Sequence, residues 1–353
     1  MTAAHEAFID GVAVPVEGEQ SILEATRALG THVPTLCYDP RLEPVGSCRL
    51  CLVKVEGRRL PVAACAQRLE PGMRVTTSDE ELRDLRQMIL RLVLSENPGG
   101  ECPKCRELGP CELHRLAEEY QVGTGLPGIT SGARSDDANP FILRDYPKCI
   151  YCYRCTRVCA EVEQAHAIAP AGRGFATRIA TPFDGGLLES PCTFCGQCIQ
   201  TCPTGALADR KMLGRARAEE VTEVRSICPF CGTGCGITLR VARGQVIGAT
   251  PDWSSAPSQG SLCVKGQFGL DFIHRPDRLT TPLIRRGGAL EPASWEEAYD
   301  LIARQFMAIK AESGPDAFAF WSSARGTSEA NYLMQKLARA VIGTNNIDNC
   351  ART

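Results

Sequence analysis

The sequence predicts an α+β chain of several small domains rather than one large core. Three observations carry this. At 353 residues the chain is long for a single core, and roughly two to four domains are expected. Its twenty cysteines fall into grouped spacings separated by glycine- and proline-rich stretches. Beyond residue 280 the pattern changes to alternating helical and buried-strand periods, as at the start of an α/β domain.

Composition narrows the class of protein. The formal charge of −2 leaves no basic face or tail that would suggest nucleic acid. No apolar run approaches the ~18 residues of a membrane span, so none is expected. The opening MTAAHEAFIDGVAVPV has no basic start, apolar core, small-residue cleavage site or twin arginine. Twenty thiols in a chain that is neither small nor marked for export point to metal ligation in a reducing cytoplasm, not to disulfides.

The elements follow in order. Residues 7–17 alternate around Asp10-Gly11 and predict a hairpin. Ser21 can cap a short helix, Ile22 to Leu29, that stops at Gly30. Next come Cys37, Cys48, Cys51 and Cys65, with strand-like pieces at Leu50 to Val55 and Leu60 to Ala64. A hairpin, one helix and further strands make a small β-grasp domain with a ligand loop. Gly46 and the small residues near Cys48 leave room for sulfides and for N–H bonds to them; a zinc site is the plainer alternative.

Residues 79–95 predict a connecting helix with Leu82, Leu85, Ile89, Leu92 and Val93 on its core face. After the Asn97-Pro-Gly-Gly break, Cys102, Cys105 and Cys111 are spaced C-x2-C-x5-C, and His114 follows on a helix, Glu112 to Tyr120. A fourth ligand is therefore open: His114 could reach a metal or simply face solvent, the plainer reading of a lone histidine. A three-cysteine cluster with a labile site and a zinc knuckle are the other possibilities. Residues 121–140 predict surface loop.

Residues 149–202 hold eight cysteines in two copies of C-x2-C-x2-C-x3-C. In this run three thiolates reach three corners of a 4Fe–4S cube, and the fourth cysteine ligates the other cube. The crossed assignment is Cys149, Cys152, Cys155 and Cys202 for one cube, and Cys159, Cys192, Cys195 and Cys198 for the other. Zinc ribbons would use separated CxxC knuckles instead. Ala160 replaces the proline that closes the second run, which removes no ligand. Between the runs, strands are expected around Gly172-Arg-Gly174, with His166 structural. Residues 206–224 are charged and predict a helical linker.

Cys228, Cys231, Cys235 and Cys263 follow as C-x2-C-x3-C-x27-C, with glycines that let the backbone fold tightly around a cube. Beyond them, helices are expected at Trp295 to Ala311 and Thr327 to Ile342. Their inward faces would carry Ala298, Leu301, Ile302, Phe306 and Ile309, then Ala330, Leu333, Leu337, Ala340 and Val341. They flank a buried strand, Ala317 to Trp321. The loop Ser322 to Ser328 can present N–H groups to an anion or cofactor edge, or serve as an ordinary connection.

These motifs carry a resemblance. The first cysteine set resembles the N-terminal 2Fe–2S domain of the large complex I iron–sulfur subunit and of many iron-only hydrogenases. The C-x2-C-x5-C set resembles the 4Fe–4S domain that follows it there, where a histidine precedes the first cysteine by four residues; here that position is Pro98. The Cys228–Cys263 set resembles the N-terminal 4Fe–4S domain of molybdopterin-dependent oxidoreductases, in which a lysine lies between cube and pterin, matched by Lys265; an exposed lysine is the alternative.

The full order resembles the N-terminal third of the catalytic α subunit of cytoplasmic, often NAD-linked, formate dehydrogenases. It implies a β-grasp 2Fe–2S domain at 1–80, a three-cysteine 4Fe–4S domain with its helix at 81–140, and a double 4Fe–4S ferredoxin domain at 141–210. A linker at 211–225, a molybdopterin-type 4Fe–4S domain at 226–280 and the start of the molybdopterin α/β domain at 281–353 complete it.

The resemblance also implies cofactors and partners. One 2Fe–2S and four 4Fe–4S clusters would accompany a Mo- or W-bis-molybdopterin guanine dinucleotide in the complete enzyme, with formate as substrate. Flavin- and NAD-binding iron–sulfur subunits, ferredoxin or hydrogenase subunits are the implied partners. Cys350-Ala-Arg-Thr353 matches the tetrapeptide that precedes the metal-ligating cysteine or selenocysteine in that family. A UGA selenocysteine codon after Thr353 is therefore expected, with a deliberately shortened chain as the rival explanation. Cys350 itself belongs to no cluster set. Three other readings stay open: an iron-only hydrogenase, a complex I large subunit, and a non-catalytic electron-transfer module.

Overall fold

The structure, a computed structural model, describes residues 6–97, 102–123, 126 and 139–350. The Pro98 position, most of the 121–140 loop and the last three residues of the Cys350–Thr353 match lie outside them. The described chain forms two compact units, Met1–Thr222 and Glu223–Thr353.

In the first unit, β1 (Glu6–Ile9) and β2 (Val12–Pro15) pair across Asp10-Gly11, both at positive φ as a tight hairpin requires. Ser21 caps α1 (Ile22–Ala28) in a capping box with Glu24, and Gly30 at φ +74° ends the turn. Strands β3 (Leu52–Val55), β4 (Val62–Ala63) and β5 (Arg74–Thr76) complete a five-stranded sheet of order β2-β1-β5-β3-β4. The β1–β5 pair is parallel and the others antiparallel. Ile9, Ile22, Leu23, Val53 and Val75 fill its core.

The helix α2 (Glu80–Glu96) is capped by Asp79. Its buried stripe is Leu82, Arg86, Leu90 and Leu94, while Leu92 of the expected core face is exposed. The reason is Arg86. It is buried because its guanidinium donates to the carbonyls of Leu50, Leu52 and Thr77, so a polar residue occupies the inward line. Short helices α3 (Pro103–Leu108) and α4 (Glu112–Glu119) follow, and Leu113, Leu116 and Ala117 of α4 pack with Leu90 and Leu94.

The double-cysteine region is framed by β6 (Ile142–Arg144), α5 (Arg154–Arg157), the β7–β8 pair (Ala169–Ala171 with Arg178–Ala180), α6 (Gln197–Thr201) and β9 (Leu207–Asp209). β9 pairs antiparallel with β6 and ties the two ends of the region together. The expected helical linker at 206–224 is a correction. It holds β9, a single 3-10 turn at Ala218–Glu220 and the start of β10 (Thr222–Ile227). β10 is exposed along its whole length, so no buried-exposed alternation marks it as a strand in the sequence.

The second unit begins with a three-stranded sheet, β10, β11 (Gly236–Ala242) and β12 (Gln245–Pro251), followed by α7 (Val264–Phe268). A hairpin, β13 (Leu283–Arg286) and β14 (Ala289–Pro292), leads into α8 (Trp295–Ser313). β15 (Phe320–Ser322), α9 (Ser328–Lys336), a continuing π-helical turn to Ile342 and β16 (Ile347–Asn349) complete it, with β15 and β16 parallel. The helical periods are as read, but the burial is not. α8 has no buried residue, Trp321 is 87% exposed, and Leu333 and Val341 are exposed, while Ala338 and Ile342 are buried. Among the described residues this sheet has two strands, so it covers only a narrow strip of either helix.

Candidate iron–sulfur sites

Cys37, Cys51 and Cys65 lie at about 1% exposure in the sheet domain, with Cys48 half-buried beside them. Cys51 and Cys65 sulfurs are 3.4 Å apart. The amides of Leu36 and Cys48 donate to Cys48 Sγ and Cys37 Sγ, both at 3.4 Å. Hydrogen bonds from neighbouring thiols pull Cys37 down and Cys51 down to about 7, whereas Cys65 is pushed up. Four clustered thiols, three of them buried and two already receiving N–H bonds at sulfur, are a donor set suited to a metal–sulfide group. Gly46, at φ +62°, turns the loop that carries them.

The ferredoxin-like cysteines line two apolar cavities. One is lined by Cys149, Cys152, Cys155, Cys198 and Cys202 among Ile142, Ile150, Ile179 and Leu207. The other is lined by Cys159, Cys192, Cys195 and Cys198. The first cavity thus takes three cysteines from the first run and two from the second, and the other takes one from the first run and three from the second. They share a wall of Ile142, Ile168, Leu187 and Cys198. Tyr153 and Gly196, at positive φ, start α5 and α6 and turn the ligand loops inward. Burial pushes the thiols of Cys152, Cys155 and Cys198 up, and that of Cys195 to about 12. Neutral thiols in such a cavity become good ligands once a cation compensates the thiolate charge.

Cys102, Cys105 and Cys111 cluster at the starts of α3 and α4. Cys102 packs directly against Gly205, and Leu113 N–H donates to Pro203 O at 3.1 Å. Lys104 Nζ bonds the carbonyls of Cys202 (3.3 Å) and Thr204 (2.9 Å). This site therefore abuts the loop that carries Cys202. His114, placed by sequence between ligand and surface residue, has Nδ1 3.1 Å from Cys105 Sγ.

A buried polar network, invisible in the sequence, bolts these sites together. Arg154 donates to Thr201 Oγ1 (2.9 Å), Glu112 Oε2 (2.7 Å) and Leu36 O (3.4 Å). Thr201 donates to Asp39 Oδ2 at 2.7 Å, and Arg41 bonds both oxygens of Asp39 and Gln197 Oε1. These partners hold the Asp39 carboxyl, despite its burial, at about 2.

In the second unit Cys228 is buried, Cys235 half-buried, and Cys231 and Cys263 exposed. Cys228 N donates to Cys235 O at 2.8 Å, closing the loop, and Cys263 caps α7. Burial and the neighbouring thiols raise Cys228 and Cys235. Cys231 is lowered, first by its bond with Thr233 (3.3 Å) and further by the Lys265 and Arg325 charges. Gly232 packs so close to the 322–328 loop that a Cβ there would meet Ala324 O at 2.5 Å. Asn331 organises that loop, bonding Ser322, Ser323 and Thr327. Cys350 lies on it, accepting from Ala324 N at 3.4 Å, so the N–H offered to a cofactor edge is engaged there.

Four domain families match successive stretches. Residues 5–80 match the 2Fe-2S iron-sulfur cluster binding domain, and 139–208 the ferredoxin-like domain of NADH-quinone oxidoreductase subunit 3. Residues 221–275 match the molybdopterin oxidoreductase Fe4S4 domain, and 278–353 molybdopterin oxidoreductase itself. The chain is 37% identical over 347 residues to an NADH-quinone oxidoreductase subunit of Rhizobium meliloti. It is 39% identical over 349 residues to the NADPH-Fe(3+) oxidoreductase subunit alpha of Geobacter sulfurreducens. Both alignments cover 98% of this chain and 40% of the relative, so the chain spans well under half the length of these relatives. A Staphylococcus aureus protein provisionally named a formate dehydrogenase is 30% identical over 383 aligned residues, covering 98% of this chain and 39% of that protein. Among solved structures, an NAD+-reducing NiFe-hydrogenase in the H2-reduced state matches with TM-score 0.54 and 28% identity, over 61% of this chain and 91% of that one.

Proposed function

We propose that this chain, an iron–sulfur N-terminal region of the molybdopterin oxidoreductase type, is the electron relay of an enzyme that oxidises formate to CO2 or runs the reverse. The observation that carries the relay is a pair of adjoining apolar cavities, each lined by cysteines of both runs, that share a wall of Ile142, Ile168, Leu187 and Cys198. The reading assigns Cys37, Cys48, Cys51 and Cys65 to a 2Fe–2S cluster. It assigns Cys149, Cys152, Cys155 and Cys202; Cys159, Cys192, Cys195 and Cys198; and Cys228, Cys231, Cys235 and Cys263 to 4Fe–4S clusters, with a fourth cube at Cys102, Cys105 and Cys111. When bound, such clusters supply one-electron carriers beside a two-electron reaction at a Mo- or W-pterin.

The chain's own residues do the rest. The apolar wall excludes water from between the ferredoxin cavities, and Arg154 holds a fixed positive charge beside Cys152. Lys265 and Arg325 place positive charge beside Cys231, which favours a negatively charged group there; Lys265 is assigned to the side facing the pterin. Formate rests on the Cys350-Ala-Arg-Thr353 match and on the S. aureus relative. Partner subunits binding NAD(P) or flavin rest on the names of the R. meliloti, G. sulfurreducens and hydrogenase relatives, and a cytoplasmic site of action belongs to the same reading. Among the described residues no helix is long and apolar enough to cross a membrane.

A second reading, favoured by the higher identity to the NADPH-linked relative, is a relay whose electrons come from a dinucleotide rather than formate. Anaerobic addition of each donor to the enzyme purified from its own cells separates the two. Formate should bleach the iron–sulfur absorbance, and Cys231→Ser should remove about four iron per chain and slow that bleaching. Bleaching by NADPH but not by formate overturns the formate reading.

A further inference from the structure

Among the described residues, Cys105, Cys111 and His114 bring one ligand atom each within 4.8 Å of one another. His114 Nδ1 stands 3.1 Å from Cys105 Sγ. The geometry has a local cause. Cys111 is the N-cap of α4, and His114 is three residues on, so both project from one face of the first turn. The other face, Leu113, Leu116 and Ala117, is buried with Leu90 and Leu94, which fixes the rotation of the helix. Leu113 N–H to Pro203 O fixes its height.

Among the described residues, the competing side chains nearby are occupied elsewhere. Asn97, next to the position where the resembled family carries its histidine, donates Nδ2 to Lys148 O at 2.7 Å. Glu107 pairs with Arg106 at 2.7 Å and accepts from Gly214 N–H. Glu112 is held by Arg154 at 2.7 Å. Lys104, a further polar group nearby, has its amine on the carbonyls of Cys202 and Thr204.

We propose that His114 Nδ1 is the fourth ligand of the group held by Cys102, Cys105 and Cys111. The complete motif is then C-x2-C-x5-C-x2-H, with the histidine downstream of the last cysteine instead of upstream of the first. A neutral imidazole with its proton on Nε2 offers the Nδ1 lone pair without releasing a proton. It makes the ligand set one charge less negative than four thiolates, which raises the potential of the group it binds. The proposal rests on the reading of this site as a 4Fe–4S cluster.

The test uses the anaerobically purified chain carrying 15N-histidine, reduced with dithionite and examined by pulsed EPR. A histidine-nitrogen coupling on one cluster is expected. It should vanish in His114→Cys, which supplies a thiolate and keeps the iron, and His114→Ala should lose about four iron per chain. Unchanged iron and spectra in His114→Ala, or a nitrogen coupling that persists in His114→Cys, overturn the assignment. One zinc per chain in the parent, lost in His114→Ala and with no nitrogen-coupled cluster, would keep His114 as a ligand while overturning the iron reading of this site.

Discussion

Replacing Arg154 with leucine tests whether the cluster sites of the first unit are mechanically joined. Arg154 is 7% exposed and makes its three bonds to Thr201, Glu112 and Leu36 across three different cysteine regions. Breaking a fully buried ion pair typically costs about 3–5 kcal/mol. Here the Glu112 side chain is 35% exposed and water can re-solvate it, and Asp39 keeps Arg41. The lower value, about 2–3 kcal/mol, is therefore expected. For a unit of 222 residues this is a fall in Tm of about 4–12 °C.

The charge has a second consequence. Arg154 favours the thiolate of Cys152, so its loss should make the more negative, reduced state at that site less favourable and lower its potential. Arg154→Lys separates the effects: it keeps the charge but loses the planar fork, so Tm should fall while the potential stays near that of the parent. Anaerobic thermal unfolding and an EPR-monitored redox titration read the two. Unchanged Tm and potential in Arg154→Leu, or equal potential shifts in Leu and Lys variants, would refute the reasoning.

Other outcomes follow from single contacts. In Gly205→Ala the new methyl would overlap Cys102 Sγ, so about four iron per chain should be lost by metal analysis, and a full complement would sink the packing argument. Asp79 caps α2 through Leu82 N–H (2.8 Å) and pairs with Lys54 (2.7 Å), so Asp79→Ala should cost about 1 kcal/mol at pH 7. The Lys54 hydrogen bond depresses the Asp79 pKa, so this contribution is present above the ordinary carboxylate value of 3.8 and fades as pH falls below it. The Tm deficit of the variant should accordingly shrink in acid, and a deficit that grows would contradict the sign.

How much of this was legible in the chain depends on the range of the interaction. Caps such as Ser21 and turns such as Asp10-Gly11 are local, and each lies in the structure where its pattern puts it. The core face of α2 is legible at Leu82, Ile89 and Val93 and fails at Leu92, because the buried Arg86, satisfied by carbonyls from Leu50, Leu52 and Thr77, draws the inward line toward Leu90 and Leu94. Burial on α8 and α9 failed for a different reason: a helical period fixes which side chains share a face, but not what covers that face. The C-x2-H offset on a helix puts His114 within reach of a metal but leaves open whether it faces inward or to solvent. Its commitment to the inside depends on Leu113 meeting Pro203, ninety residues on, which no local pattern encodes.

The placement of the polar network argues that position, not only ligation, is encoded. Asp39 is two residues from Cys37, Glu112 follows Cys111, Arg154 lies between Cys152 and Cys155, and Thr201 precedes Cys202. A hydrogen-bonded chain through these four residues fixes ligand loops of three cysteine sets relative to one another at their roots. Burying so many polar groups is costly unless all are satisfied, and apolar packing alone would join the loops with less directional constraint. What the network adds is geometry: spacing between sites held by directional bonds, and one fixed positive charge at its centre. If relay spacing is what the network maintains, Asp39→Asn, which keeps the shape and weakens the Arg41 and Thr201 bonds, should slow electron equilibration between the sites more than it changes the iron content of any one. Stopped-flow reduction followed by rapid-freeze EPR measures the first and metal analysis the second; loss of iron with equilibration unaltered in the remaining sites would show that the network serves ligation alone.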